Sequence, residues 1–303
     1  MYWNRGARHA FAAALIVVST WASAQEGRGD VVYVPTPQIV VDEMLRLAKI
    51  GAKDFLIDLD SGDGRIVITA AKKYSAQGFG VDLDTVLLRQ ARDGAIKEGV
   101  SDRAQFVEQN LFETDLSKAT VVSSYLLPEM NLKLRPKILA LKPGTRVVAH
   151  DYHMGDWYPD EQKDIVVPEK KVGTPGVSYI YLWVVPSRVA GKWQGQISAS
   201  GKDVPVELAF DQLFQILEGS VRVGTQSIAL RGRVTNGDQI EFSTPAKAGP
   251  GNERYEFRGK IAGDAIDGTV RIGEGPNARQ GTFTARLTAR GEMRRASDEV
   301  ATR

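Results

Sequence analysis

Short apolar runs alternate with helical patterns between Val31 and about Val185, and no other feature limits the possible folds as strongly. This alternation predicts right-handed βαβ units, and therefore an α/β fold whose parallel sheet is covered by helices on both faces. The expected strands are Phe55–Asp58, Gly78–Asp82, Ala104–Glu108, Ala119–Leu126 and Thr145–His150. The expected helices after the first are Arg65–Tyr74, Thr85–Glu98 and Asn131–Leu141.

The first helix has a recognisable beginning. Thr36 followed by Pro37 predicts a hydroxyl cap and then a proline at the first helical position. Val40, Met44 and Leu47 follow at spacings of four and three residues, which places them on one apolar face.

The pattern changes after Pro186. Short apolar runs now alternate with Gly, Asn and Asp, and no helix of useful length is expected. Asn236-Gly237 is a signal for a two-residue hairpin loop, and Gly263-Asp264 indicates another tight turn. We therefore expect an all-β antiparallel domain, either a sandwich or a small barrel. The predicted runs are Lys192–Ser198, Val204–Phe210, Ser227–Leu230, Gln239–Phe242, Tyr255–Ile261, Ala265–Arg271 and Gly281–Leu287.

These patterns give a two-domain organisation. The α/β domain is expected over residues 31–186 and the β domain over 190–292, with a flexible tail over 293–303.

The N-terminus has the layout of a secretory signal peptide. Arg5 and Arg8 form a basic start, Ala10–Trp21 is apolar, and Ala22-Ser23-Ala24 supplies the small residues of a cleavage site. We expect residues 1–24 to be removed and the protein to be exported to the periplasm or secreted. Because the apolar run is shorter than the ~20 residues of a transmembrane helix, no membrane span is expected after cleavage. An organelle transit peptide is the alternative.

Composition excludes several classes of function. The 39 basic and 37 acidic residues nearly cancel, so no overall field attracts nucleic acid. The absence of cysteine excludes disulfides, thiolate metal sites and a cysteine nucleophile. The basic residues of the β domain alternate with acidic and apolar ones, as on solvated strands; they are Arg222, Arg231, Arg233, Arg258 and Arg271.

The loop after the first strand carries the candidate chemistry. It contains Asp58, Gly62 and Gly64, and glycines at this place let the backbone approach a ligand closely. The second strand ends at Asp82, where a carboxylate can accept both hydroxyls of a ribose. The combination predicts adenosine recognition. The G-x-G-x-x-G spacing of a pyrophosphate site is missing, but the loop alone leaves a dinucleotide and S-adenosylmethionine both open.

Several motifs together resemble the class I S-adenosylmethionine-dependent methyltransferases. The similarity is to relatives of the mitochondrial protein-lysine N-methyltransferases and to exported bacterial methyltransferase-domain proteins. It extends from about Val31 to Trp157 and implies a Rossmann-like sheet. The motifs are Tyr33–Pro37, Asp58–Arg65, Gly80–Asp82, Tyr125–Glu129 and Lys142–Val148.

The resemblance implies roles for individual residues. The resemblance implies S-adenosylmethionine as cofactor, a methyl acceptor such as a protein lysine as substrate, and in-line transfer as the reaction. The implied cofactor-binding residues are Tyr33, Thr36, Asp58, Asp60, Gly62, Gly64, Asp82, Asn110 and Leu111. A substrate channel is implied at Tyr125, Pro128 and His150, with Tyr33 and Tyr152 as further candidates for its aromatic walls. No catalytic base is assigned.

Two positions depart from the family's pattern. Asp60 replaces a glycine beside the cofactor, and Asn110 replaces an aspartate that accepts from the adenine amino group. Together with export away from the cytosolic cofactor supply, these changes leave a second hypothesis. It is an exported, catalytically silent adenosine-type binding or scaffold protein on the same fold.

Other candidate chemistries are weaker. His150 and His153 lie near Asp151 and Asp156, but their spacing favours a polar loop over a metal site, and no metal is expected. Ser61 has no surrounding nucleophile elbow, which favours a loop-shaping role over hydrolysis. Trp183 and Trp193 are expected in the core. The β domain has no readable function, and an envelope partner is one candidate for it.

Overall fold

The computed structural model of the protein describes residues 33–294, and its first part is a seven-stranded mixed sheet with four helices. The predicted signal peptide and residues 295–303 lie outside the described residues. The elements of the first part are α1 (Gln38–Leu47), β1 (Phe55–Leu59), α2 (Arg65–Tyr74), β2 (Gln77–Asp82), α3 (Thr85–Lys97), β3 (Ala104–Glu108), β4 (Val121–Ser124), α4 (Pro128–Ile138), β5 (Arg146–His150), β6 (Glu161–Val166) and β7 (Val177–Val184).

The sheet has the strand order β3-β2-β1-β4-β5-β7-β6. All neighbours from β3 to β5 are parallel, which confirms the predicted α/β class. The expectation of an entirely parallel, five-stranded sheet is wrong, because β7 runs antiparallel to both β5 and β6. Only residues 167–176 connect β6 to β7, too few for the crossover that a parallel pair requires.

Helices cover both faces of the sheet, as predicted. The alternation of side chains along β1 places Leu56 in the hydrophobic cluster of α1, α2 and α3. Ile57 and Leu59 point to the other face, where they share a cluster with Leu134 and Ile138 of α4. None of the helices among residues 33–294 combines the length and the apolar content needed to cross a membrane.

Two predicted helix starts are corrected. Pro37 occupies the cap position of α1, and no side chain caps this helix. Thr36 is buried instead, and its Oγ1 lies 3.2 Å from Nδ1 of His150. Helix α4 begins at Pro128 rather than Asn131, because proline at the first position loses no hydrogen bond there.

The second part of the chain is a closed eight-stranded antiparallel barrel, so the sandwich alternative is wrong. Large side chains fill its interior, including Trp193, Phe210, Phe242, Phe257 and Phe283. Its strands are β8 (Gly191–Ala199), β9 (Lys202–Leu213), β10 (Ile216–Val223), β11 (Gln226–Thr235), β12 (Gln239–Ser243), β13 (Tyr255–Ala262), β14 (Ala265–Ile272) and β15 (Arg279–Arg290).

Strand β10 is the one strand of the barrel that the sequence pattern did not predict. Gly219 interrupts its apolar alternation, and a β-carbon there would lie 1.9 Å from the carbonyl oxygen of Ala209 on β9. The glycine therefore permits the close approach of two strands. Because β10 pairs with both β9 and β11, it completes the barrel wall.

The predicted hairpin turns are present, with one difference. Asn236-Gly237 connects β11 to β12, and both residues have positive φ angles, but the pairing of Thr235 with Gln239 leaves a three-residue loop. Gly263-Asp264 is a two-residue loop, since Ala262 pairs with Ala265.

The barrel covers part of the sheet through a contact that we call the barrel–sheet junction, formed by Trp157, Trp183, Phe214 and Gln215. The ring of Trp157 stacks on that of Phe214 with centroids 5.7 Å apart. Trp157 Nε1 donates to Oε1 of Gln215 at 3.0 Å, and Trp183 Nε1 donates to the carbonyl of Trp157 at 2.7 Å. The connection between β5 and β6 has no helix, so the β9–β10 turn packs on this face instead.

The first two residues of the predicted flexible tail make defined contacts. Met293 packs against the hydrophobic cluster of the junction, and the amide of Arg294 donates to the carbonyl of Gln212 at 2.8 Å.

Candidate functional site

A cleft lies at the carboxyl ends of β1 and β4, where the strand order of the sheet reverses. Ligands of doubly wound sheets bind at this switch point. The cleft unites six of the residues predicted for the cofactor or the substrate channel, which are Tyr33, Thr36, Asp58, Asp60, Tyr125 and Tyr152. Its other lining residues are Val34, Ser61, Asp63, Arg65, Ile66, Leu127 and Val172.

The loop between β1 and α2 is held in a glycine-type backbone. Asp60, Gly62 and Gly64 all have positive φ angles, of 66°, 54° and 77°. A left-handed conformation costs glycine little, and aspartate tolerates it better than most residues. This geometry favours the glycine that the resemblance implies for position 60.

Asp82 fixes this loop from the neighbouring strand. Its Oδ2 accepts the amide of Gly62 at 2.8 Å, and its Oδ1 accepts the amide of Asp84 at 2.8 Å. The structure thus joins Asp82 to the glycine loop, although Asp82 is not among the residues that line the cleft. Each carboxylate oxygen keeps a second lone pair for a further donor.

Tyr33 lies across the loop at the mouth of the cleft. A β-carbon at Gly62 would lie only 2.2 Å from Cε2 of Tyr33, so glycine is needed beneath this ring. Burial, followed by the charge of Asp63, raises the pKa of Tyr33 to about 12. Arg65 pairs with Asp63 and donates to the carbonyl of Thr36 at 2.8 Å, which fastens this segment to α2.

Asp58 lies on the floor of the cleft, fully enclosed. Burial raises its pKa to about 8, and the charges of Asp60 and Asp82 act in the same direction. Ser123 Oγ opposes this shift by donating to Asp58 Oδ1 at 2.6 Å. Without a ligand, the protein therefore favours the protonated form of Asp58 below about pH 8.

This shift predicts the pH dependence of an Asp58→Asn variant. The native state holds a proton that the unfolded chain releases above its ordinary pKa of 3.8, so Asp58 makes the wild type less stable as the pH rises from about 4 to about 8. Asparagine cannot ionise and can still accept from Ser123. The variant should therefore gain stability relative to wild type over that range, by a few kcal/mol at about 1.4 kcal/mol per pKa unit.

Urea unfolding of both proteins at several pH values measures the difference, with Asp102→Asn, an exposed aspartate, as the control. A stability difference that stays constant between pH 4 and 8 would contradict the assignment of Asp58.

The opposite side of the cleft is aromatic. Tyr125 packs its ring 4.0 Å from that of His150 and 6.1 Å from that of Tyr152, centroid to centroid. His150 is buried, and its two ring nitrogens lie within hydrogen-bond distance of Thr36 Oγ1 and Ser178 Oγ. Burial lowers the pKa of His150 to about 4, so the ring is neutral at pH 7. Pro128 begins α4 and is not among the lining residues; its neighbour Leu127 is.

The remaining predicted cofactor residues lie outside the cleft lining. Asn110 Oδ1, the proposed adenine acceptor, accepts the amide of Phe112 at 2.9 Å. Leu111 is buried in the cluster of Ile57 and Val81. A β-carbon at Gly64 would lie 2.5 Å from the ring of Phe106, so this glycine also serves the packing of the sheet.

The two histidines considered for a metal serve separate contacts. His150 is buried against the ring of Tyr125 and does not line the cleft, whereas His153 Nδ1 accepts the amide of Gly155 at 2.9 Å. Within residues 33–294, no group of three or more His, Asp or Glu side chains is placed to hold a metal ion.

Sequence reasoning missed two residues close to the cleft. Lys170 is buried and pairs with Asp151, and Ser178 bonds to His150. Both come from the segment around β7, which the periodicity did not identify. Lys170 stands between Glu169 and Lys171, so nothing in the local sequence indicates that it is buried, and its role depends on its partner Asp151.

Comparison with known proteins matches part of the chain to methyltransferases. Residues 58–161 match the ANTKMT methyltransferase domain. A protein-lysine N-methyltransferase of Saccharolobus islandicus is 47% identical over 131 residues, which are 43% of this chain and 81% of that protein.

Two further relatives match a comparable share of the chain. The adenine nucleotide translocase lysine N-methyltransferase of Mus musculus is 32% identical over 44% of this chain, and the match spans 58% of the mouse protein. An RNA methyltransferase of Salinibacter ruber, solved with S-adenosyl-L-homocysteine, is 46% identical over 52% of this chain and 96% of its own, with a TM-score of 0.47.

Proposed function

Because this chain belongs to the S-adenosylmethionine-dependent methyltransferases with the ANTKMT methyltransferase domain, we propose that it methylates the side-chain amine of a protein lysine. Its cofactor is S-adenosylmethionine. The lysine acceptor is supported by the archaeal and mouse relatives, which are lysine N-methyltransferases.

The single observation that carries the proposal is the glycine loop at the switch point of the sheet, locked by Asp82 beside the cleft. Asp58, Asp60 and the Gly62 turn would hold the cofactor together with Tyr33 and Ser61.

A buried polar atom without a hydrogen-bond partner supports the binding of the cofactor in this cleft. Among the described residues, no hydrogen-bond partner lies within reach of the buried Ser61 Oγ, although Ser61 lines the cleft. A buried hydroxyl without a partner costs free energy, and a polar ligand in the cleft would supply that partner.

The cofactor, when bound, supplies an activated methyl group on a sulfonium. The work left to the protein is alignment and the exclusion of water. Tyr125 and Tyr152 form an aromatic wall that favours the neutral, nucleophilic form of an amine. His150 is itself neutral and places no positive charge against an incoming lysine.

Calorimetric titration of the purified protein with S-adenosylmethionine and S-adenosylhomocysteine tests the proposal. We expect sub-millimolar binding of both. A Gly62→Val variant should lose this binding, because the added side chain displaces Tyr33. Thermal melting of the variant without ligand shows whether it still folds. No binding to the wild type would favour the silent-scaffold hypothesis. Recovery of binding by Asp60→Gly would then show that Asp60 prevents the cofactor from binding.

We propose further that the protein acts outside the cytosol and that the barrel binds an acidic envelope component. The basic start, the apolar run and Ala22-Ser23-Ala24 support export. A groove on the outer wall of the barrel, in which Arg231, Arg233, Arg254 and Arg258 outnumber Glu241 and Glu256, supports the partner. Fractionation of expressing cells tests export.

Sedimentation with isolated envelopes tests the partner. The double variant Arg231→Ser/Arg258→Ser should sediment less than the wild type, and equal sedimentation would contradict binding through the groove.

A further inference from the structure

Asp151, at the end of β5, is the centre of a buried hydrogen-bond network beside the cleft. Its Oδ1 accepts from Lys170 Nζ at 2.7 Å and from the amide of Tyr179 at 3.1 Å. Its Oδ2 accepts from the hydroxyl of Tyr125 at 3.2 Å. The carboxylate is therefore fixed from three directions.

Lys170 carries the positive charge of this network, and its side chain is held in place as well. The side chains of Lys170 and Asp151 are only 5% and 3% exposed, and Lys170 Nζ also donates to the carbonyl of Val177 at 2.5 Å. A buried ion pair costs much desolvation and is weak evidence for stability, because apolar residues of similar volume often serve as well. Stability alone therefore does not account for this ion pair, which lies beside the cleft.

The group of the network that reaches the cleft is Tyr125. Because its proton is directed at Asp151, the lone pairs of the phenolic oxygen remain as hydrogen-bond acceptors. His150 cannot take this place, since both of its ring nitrogens already face Thr36 and Ser178.

We propose that the Asp151–Lys170 pair positions the Tyr125 hydroxyl so that its oxygen accepts a hydrogen bond from the incoming lysine amine. The inference rests on the proposed function. Accepting one N–H would orient the amine, leaving its lone pair free for the methyl group. The charges of Asp151 and Lys170 cancel, so the network does not favour the unreactive ammonium form, whose proton passes to water before transfer. Tyr125 touches the substrate, and the other two residues act through it.

Methylation of poly-L-lysine with radiolabelled S-adenosylmethionine tests the role of the hydroxyl. Tyr125→Phe should lower kcat by about 10- to 100-fold, the cost of a misaligned nucleophile. The dissociation constant of S-adenosylhomocysteine should change by less than about twofold, because the cofactor residues are untouched. Tyr181→Phe, at a tyrosine outside the cleft lining, is the matched control and should keep kcat.

A double-mutant cycle separates positioning from a structural role. Asp151→Asn should also lower kcat, and the double variant Tyr125→Phe/Asp151→Asn should be no slower than Tyr125→Phe alone. If the two reductions in kcat simply multiplied in the double variant, the coupling between Asp151 and Tyr125 would be overturned. A Tyr125→Phe variant with wild-type kcat would overturn the inference and leave the proposed function intact. A wild type that binds S-adenosylhomocysteine but methylates no lysine would overturn the lysine acceptor and the inference with it.

A second readout needs no activity. Burial, followed by the charge of Asp151, holds the pKa of Tyr125 above its ordinary value. Of the other titratable groups nearby, Tyr152 acts on this hydroxyl, His150 packs against the ring of Tyr125, and Lys170 lies beyond Asp151. Near-ultraviolet absorbance, compared between wild type and Tyr125→Phe, isolates the ionisation of Tyr125. Asp151→Asn should move that ionisation to lower pH, and an unchanged titration would contradict the contact.

Discussion

Replacing Trp157 by alanine is expected to lower the free energy of unfolding by about 3–5 kcal/mol, as for other fully buried tryptophans. The change removes the stacking on Phe214 and the contact with the ring of Trp183. It also leaves Gln215 Oε1 buried without its donor, which adds a desolvation cost.

Urea unfolding followed by tryptophan fluorescence and by circular dichroism measures this loss. Tyr158→Ala is the matched control, because the neighbouring tyrosine is 76% exposed and should change stability by less than about 0.5 kcal/mol. Equal effects of the two substitutions would show that the barrel–sheet junction contributes little.

Replacing Lys170 by methionine is expected to cost about 3–5 kcal/mol, because Asp151 would then be a buried charge without its partner. The double variant Lys170→Met/Asp151→Asn should recover most of this loss, since it removes both charges. The comparison isolates the unpaired charge from the change of shape.

Thermal and urea unfolding of the single and double variants give the measurement. Lys171→Met is the control, at an exposed lysine next in the chain. If the single and double variants prove equally unstable, the packing of the lysine side chain, and not its charge, stabilises the connection between β6 and β7.

The sequence predicted the elements whose pattern is local. Helix α2 and strand β3 have the expected limits, Arg65–Tyr74 and Ala104–Glu108, because their apolar periodicity and their boundaries lie within the same segment. Strand β6 was missed because it lies at the edge of the sheet, where five of its six residues are exposed and no alternation marks it. Strand β10 was missed because Gly219 interrupts its apolar alternation. The close approach of β9 requires this glycine, and local periodicity does not show such a contact.

The same difference between local patterns and long-range contacts applies to the site. Asp58, Gly62 and Asp82 were recognisable because the first loop and the next strand tip have fixed places in a doubly wound sheet. Lys170 had no such marker, since its importance comes from Asp151, 19 residues away along the chain. Long-range pairing of polar groups is the part of a site that periodicity does not encode.

The β9–β10 turn, which packs on the sheet at Trp157, also has a consequence for the order of folding. All seven strands of the sheet are synthesised before Phe214 and Gln215, so the face around Trp157 stays open to water until the barrel's second hairpin, β9–β10, exists. An N-terminal domain usually folds as soon as it is complete. Here completion requires a later segment, and we expect the nascent sheet to reach its full stability only after residues 214 and 215 have been synthesised.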